Sequence, residues 1–115
     1  MIIIKKKENL GDHITLRLGG QARYYVEVRN KSELLEALEW ASEKGLKVYI
    51  LGGGANTFFS DKGFPGLVIK NKIRGIRVVR ETDQYVWVES DGGEWWTALA
   101  NYCLEHKYMV WKIYF

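Results

Sequence analysis

Three consecutive glycines, Gly52, Gly53 and Gly54, followed by Ala55 and Asn56, close a short apolar run; residues 50–66 read ILGGGANTFFSDKGFPG. Glycine tolerates positive φ and lets a ligand approach the backbone closely. Several bare N–H groups gathered after a buried strand form a concavity suited to an anion, phosphate above all, and the Asn56 amide adds a donor. A tight turn without ligand is the competing reading, although a turn needs only one or two glycines. Two familiar phosphate loops are excluded. Ala55-Asn56-Thr57 stands where a P-loop ends in Gly-Lys-Ser/Thr, and Thr57 stands where a Rossmann fingerprint has its third glycine. No helical pattern follows at once, so backbone amides rather than a helix dipole would have to hold the anion.

The elements that must carry this loop are legible on either side. Residues 23–28 (RYYVEV) are aromatic and branched and read as a strand. Asn30 precedes Glu33 by three, a capping-box spacing at the head of a helix whose stripe is Leu34, Leu38 and Ala41, widened by Leu35 and Ala37. Lys44-Gly45 ends it with a cation and a residue suited to positive φ. Residues 47–51 (KVYIL) form a continuous apolar run, the pattern of a strand buried on both faces. Strand, helix and strand make a βαβ unit with a right-handed crossover. Residues 61–66 form a turn and residues 67–70 another strand. Residues 76–80 and 85–89 are arms of a hairpin about Thr82-Asp83-Gln84. After Gly92-Gly93, the residues Trp96, Leu99, Ala100, Cys103 and Leu104 line one face of a last helix. The fold class is therefore α+β.

Composition limits the function classes. The chain of 115 residues suits one small domain. A single proline and a single cysteine exclude a disulfide framework and point to a reducing, cytoplasmic setting. The formal charge of +3 is mild, and Lys5-Lys6-Lys7 reads as a solvated segment, not a nucleic-acid site. No run approaches the roughly 18 apolar residues that span a bilayer, so no membrane partner is expected. MIIIKKK has too short an apolar run, placed before its charges, for a signal peptide.

The stretches LRLGGQARYYVEV, ILGGGANTFFSDKGFPGLVIK and WWTALANYCLEH, in this order and spacing, resemble the N-terminal FAD-binding region of the UDP-N-acetylenolpyruvoylglucosamine reductase (UDP-N-acetylmuramate dehydrogenase) family. The resemblance covers roughly residues 8–106. It implies the first subdomain of a vanillyl-alcohol-oxidase/PCMH-type FAD-binding domain. In it, Gly52, Gly53, Gly54, Ala55 and Asn56 hold the FAD pyrophosphate, with Ala55 standing where the family usually has Ser. Gly92 and Gly93 form the second flavin-contacting loop, and Asp91 stands where that loop has Gly. A carboxylate there repels a diphosphate unless it points outward. The family reduces UDP-N-acetylglucosamine enolpyruvate with hydride from NADPH passed through FAD. Its catalytic serine, arginine and glutamate lie in later parts, so no catalytic residue is expected in this sequence, and NADPH and the UDP-sugar belong to the full-length enzyme. Weak FAD or diphosphate binding is the expectation for these residues alone.

The division this implies is a leader at 1–22, an FAD-binding subdomain at 23–106 and an aberrant tail at 107–115. After Leu104-Glu105-His106 the family continues Gly-Leu-x-Gly-Leu-Glu, whereas this chain reads KYMVWKIYF. Codons for MVWKIYF, read from the third nucleotide of Met109, force glycine at the Met-Val junction and glutamate at the Trp-Lys junction. The tail is accordingly read as frameshifted near Lys107. The exposed apolar face of the last helix is expected to promote self-association.

Other residues have plainer readings. Cys103 on the apolar stripe is a small buried hydrophobe. His13, His106 and one cysteine make no metal site. Trp96 is core; Trp95 faces either solvent or a further domain. Glu33, Glu36, Glu39 and Glu43 form a solvated helix face. Arg17 reaches either a phosphate or solvent. The alternative to a truncated flavoenzyme is a non-catalytic stand-alone remnant or diphosphate-binding module. A nucleic-acid-binding domain ranks last and predicts steep salt dependence.

Overall fold

A computed structural model describes residues 1–13, 20–52 and 62–108. In chain order these give β1 (Lys5–Asn9), a 3-10 turn (Leu10–His13), β2 (Gln21–Val28), α1 (Lys31–Glu43), β3 (Val48–Leu51), β4 (Phe64–Asn71), β5 (Ile76–Glu81), β6 (Val86–Ser90) and α2 (Trp96–Glu105). The first four strands form one sheet in the order β1-β2-β4-β3, and β5 pairs with β6 in a second. β1 runs antiparallel to β2, while β2, β4 and β3 are mutually parallel. The α+β architecture matches the sequence reading. The apolar segment at the N-terminus, read as a leader, contributes β1 and packs Ile2 and Ile4 against the core.

Strand alternation divides the sheet into two faces. Val26 and Val28 of β2 and Leu67 and Ile69 of β4 meet Ala37 and Ala41 of α1, with Leu34, Leu38 and Trp40 around them. Tyr25, Val68 and Leu51 point the other way and pack with Leu10 and Ala22. Burying each large side chain of this kind contributes about 1.5–3 kcal/mol. The second face also carries Glu27 and Lys70, register partners across β2 and β4, and leads toward the functional end of the sheet.

The helix limits follow the local signals. Asn30 accepts a hydrogen bond from the Glu33 backbone N–H (2.8 Å), and the Glu33 carboxylate accepts one from the Arg29 N–H (2.8 Å). At the other end Leu46 N–H donates to Ala41 O (2.9 Å) and Gly45 N–H to Ser42 O (3.1 Å), with Gly45 at φ +65°. This is a Schellman closure. α2 closes identically, Tyr108 N–H to Cys103 O (2.8 Å) and Lys107 N–H to Leu104 O (3.1 Å), but the left-handed position at φ +61° is Lys107. A side chain is disfavoured there by roughly 1–2 kcal/mol. Lys107→Gly should therefore raise the urea midpoint, with a gain of about 1 kcal/mol after the added unfolded-state entropy is deducted. An unchanged or lower midpoint would contradict the strain.

Three expectations are corrected. The βαβ unit exists as β2-α1-β3, but β4 lies between its two strands. The later strand completes the parallel sheet from the middle, a non-local pairing that no local pattern reports. β3 is an edge strand, not one buried on both faces: Val48, Tyr49 and Ile50 are exposed and only Leu51 is buried. In α2, Cys103 is buried as expected, whereas Trp96, read as core, is exposed at 58%; Leu104, on the face expected to be exposed, is exposed at 73%. Helical spacing places residues on one stripe; it does not supply an element to cover that stripe. The hairpin is as expected, closed by Thr82 N–H to Tyr85 O (2.7 Å) and Tyr85 N–H to Thr82 Oγ1 (3.0 Å).

Candidate functional site

Because β2, β4 and β3 are parallel, their C-terminal ends, Val28, Asn71 and Leu51, share one edge. Ligands of α/β sheets bind at such an edge, where strands hand over to loops. Here the loops are Gly52 after β3, the turn from Lys72 to Gly75 after β4, and the turn before α2. Lys72 N–H donates to Val28 O (2.8 Å), tying the β4 exit to the β2 exit. A cavity of about 170 Å³ opens between them, lined by Gly52, Gly93, Asn71, Trp95 and the cations Lys70, Lys72 and Arg74.

The two glycine stretches singled out in the sequence meet at this cavity. A Cβ on Gly52 would lie 3.4 Å from the Gly92 carbonyl oxygen. One on Gly92 would lie 2.8 Å from Asn71 Nδ2, and one on Gly93 2.6 Å from both the N and O of Ile73. Gly93 N–H donates to Ile73 O (2.9 Å) and Asp91 N–H to Gly75 O (2.9 Å). Asn71 is oriented by accepting the Ile73 N–H (2.9 Å), and Glu94 accepts the Gly75 N–H (2.9 Å). The walls are thus bare backbone fixed by the neighbouring turn. Gly53, Gly54, Ala55 and Asn56 lie outside the described residues, as does Arg17.

The cations were not anticipated. Their signal was present: Lys70, Lys72 and Arg74 recur every second residue at the exit of β4, and an extended chain places such residues on one side. Glu27 balances them. Its carboxylate accepts from the Tyr25 hydroxyl (2.9 Å) and pairs with Lys72 Nζ (3.1 Å) and Arg29 Nη2 (3.3 Å). Burial opposes its ionisation, but hydrogen bonds from Lys72 and Tyr25 and the charges of Lys72 and Arg29 hold it below the usual carboxylate range. Burial and the neighbouring Lys72 charge lower the Lys70 ammonium. Three lining cations against the carboxylates of Glu27 and Glu94, the latter given to the Gly75 N–H, leave the cavity net positive. With an amide, an indole and open backbone, it suits an anion carrying a planar group.

Asp91 faces Arg77. The guanidinium forks onto it (Nη2–Oδ1 2.9 Å, Nη1–Oδ2 3.2 Å) and donates through Nε to Glu89 (2.7 Å). Arg77 holds the Asp91 carboxyl below its ordinary range. A depressed carboxylate adds stability above its unfolded pKa, and that stability is lost as pH falls through the folded value. The Asp91 share should therefore be complete at neutral pH and fade below about pH 4. Asp91→Asn should make the melting temperature less sensitive to acid between neutrality and about pH 3, with a residual slope from Glu27. An identical acid slope in the variant would refute this.

Elsewhere, His106 Nδ1 lies 2.8 Å from Tyr102 O and its ring stacks between Tyr102 and Tyr108. Among the described residues no cluster of metal-ligating side chains occurs, and no helix is long and apolar enough to cross a membrane.

Residues 22–112 match the FAD binding domain family. The chain is 31% identical over 100 residues to a UDP-N-acetylenolpyruvoylglucosamine reductase of Salinispora arenicola, covering 87% of this chain and 28% of that protein. It is 39% identical over 88 residues to the enzyme so named in a Synechococcus strain (76% and 25%). It is 36% identical over 97 residues to that of Burkholderia multivorans (84% and 28%). The chain spans about a quarter of the length of these relatives. The matched region spans most of the chain, which belongs to the FAD binding domain family.

Proposed function

We propose that this chain holds the diphosphate of FAD between the glycine stretch at 52–54, with Ala55 and Asn56, and the Gly92-Gly93 turn, as part of a UDP-N-acetylenolpyruvoylglucosamine reductase. The observation that carries the reading is the approach of Gly52 to Gly92 beside a cation-lined cavity. FAD fits the donor set: a diphosphate needs uncovered backbone and positive charge, with the Gly93 N–H itself held by Ile73 O, and a flavin or adenine ring needs a planar surface, which Trp95 offers. FAD, when bound, supplies the hydride chemistry of the whole enzyme, from NADPH to the enolpyruvyl double bond of the UDP-sugar.

The residues of this chain bind and orient. Gly92 and Gly93 let their turn pack closely on Asn71 and Ile73, which a Cβ would meet, and Gly52 leaves its backbone uncovered beside them. Lys70, Lys72 and Arg74 neutralise the diphosphate, and Glu27 keeps Lys72 at the edge of the sheet through its contact with the buried Tyr25. The setting is cytoplasmic, and catalytic groups for the substrate lie beyond these residues. The exposed Trp95, Trp96 and Leu104 give the isolated chain a surface for self-association. The division into 1–22, 23–106 and 107–115 carries over, with the tail out of frame; Lys107 at a left-handed position where glycine fits supports it. Sequencing the locus beyond Lys107 tests the tail: absence of an Ile-Pro-Gly codon run in the shifted frame would refute it.

Titration with FAD, followed by flavin fluorescence, tests the central reading. Saturable binding with Kd at or below about 100 μM, equivalent to about −5.5 kcal/mol, is expected. No saturation in that range would contradict it.

A further inference from the structure

We propose that Arg77 is a charge-shielding residue of the diphosphate site, acting by covering the carboxylate of Asp91. The proposal rests on the FAD reading above and adds a residue to it. Asp91 directly precedes the Gly92-Gly93 turn, and Arg74 of the cavity directly precedes Gly75. The ion pair lies against this junction: a Cβ on Gly75 would fall 2.7 Å from Asp91 Oδ2 and 2.9 Å from Arg77 Nη1. Gly75 therefore leaves the space in which guanidinium and carboxylate meet. Both Asp91 oxygens are engaged by the guanidinium, at 2.9 and 3.2 Å, which neutralises the carboxylate beside the Gly92-Gly93 turn. Lys31, at the start of α1, adds positive charge near the same carboxylate, and Glu89 takes the remaining Arg77 contact on the side of β6.

The consequence is an asymmetry that a merely structural ion pair would not show. If the pair only braces the turn, removing either partner harms the site equally. If Arg77 covers a charge that would repel the diphosphate, removing Arg77 exposes the charge while removing Asp91 deletes it. The repulsion is screened by salt, so low ionic strength enlarges the difference.

The test is FAD titration of the full chain and of Arg77→Gln, Asp91→Asn and the double variant, at about 20 mM and about 300 mM salt, on either side of the screening range. Circular dichroism and melting temperature report folding. Arg77→Gln should weaken FAD binding roughly threefold to tenfold at low salt and less at high salt. Asp91→Asn should bind as the parent or more tightly, and the double variant should return to the parent affinity. Gly75→Ala, which separates the pair, should behave as Arg77→Gln. Equal weakening by Arg77→Gln and Asp91→Asn, no weakening by Arg77→Gln, or no recovery in the double variant would overturn the shielding role while leaving the FAD site intact. No saturable binding by the parent would overturn both.

Discussion

Gly63→Ala should destabilise the chain by about 3 kcal/mol or more, from overpacking against backbone and a left-handed residue together. Gly63 enters β4 at φ +78°, and a Cβ there would lie 2.1 Å from the Gln21 carbonyl oxygen and 2.9 Å from its nitrogen. Those atoms begin β2, whose Ala22 is in register with Phe64. Neither strand can move aside without disturbing the pairing of β2 with β4, the centre of the sheet. A domain of this size has only about 5–15 kcal/mol of stability. The urea midpoint should fall by about 2 M at a typical slope. Gly45→Ala is the control: its φ is +65° but nothing lies within 4 Å of the added carbon, so it should cost only about 1 kcal/mol. Equal midpoints for the two variants would contradict the close approach at Gly63.

Replacing Lys70, Lys72 and Arg74 together by glutamine should lower FAD affinity about 100-fold at low salt, about 2.7 kcal/mol, since each solvent-exposed charge contact contributes up to about 1 kcal/mol. The three line one cavity, while the carboxylate beside them, Glu27, is already occupied by Tyr25 and Arg29 as well as Lys72. Most of the effect should vanish in high salt, where exposed charges are screened. The remaining affinity then measures the glycine backbone and the ring contact. An affinity that falls less than about threefold would assign the diphosphate to backbone amides alone.

These expectations show which physical signals a sequence carries. The Asn30–Glu33 cap, the Lys44-Gly45 stop and the Thr82–Tyr85 turn each depend on a few adjacent residues, and each closes with the hydrogen bonds its residue types require. The insertion of β4 between β2 and β3 depends on residues far apart in the chain, and nothing local distinguishes it from side-by-side pairing. The apolar run Val48–Leu51 reads as a central strand because apolarity reports what a segment can bury, not what arrives to cover it. Trp96 failed for the same reason. At the site, the glycines were legible because their spacing is rare. The cations were overlooked because Lys and Arg on a surface are ordinary; their meaning appears only when β4 delivers them beside Gly52 and Gly93. Whether Asp91 repels a diphosphate or points outward is not legible locally, because Arg77, which pairs with it, is distant in sequence.

The measurement that tests the central claim most directly is an amide chemical-shift titration of the isotopically labelled chain, first with FAD and then with inorganic pyrophosphate. Bare backbone at the meeting of two glycine stretches is held to carry the diphosphate. Gly52 and Gly92 amides should then shift with both ligands, saturably and in the same direction, the Gly93 amide, held by Ile73 O, should follow through the turn, and Trp95 Nε1–H should respond to FAD alone. Shifts confined to other regions, or none at Gly92 and Gly93 as FAD saturates, would contradict the account.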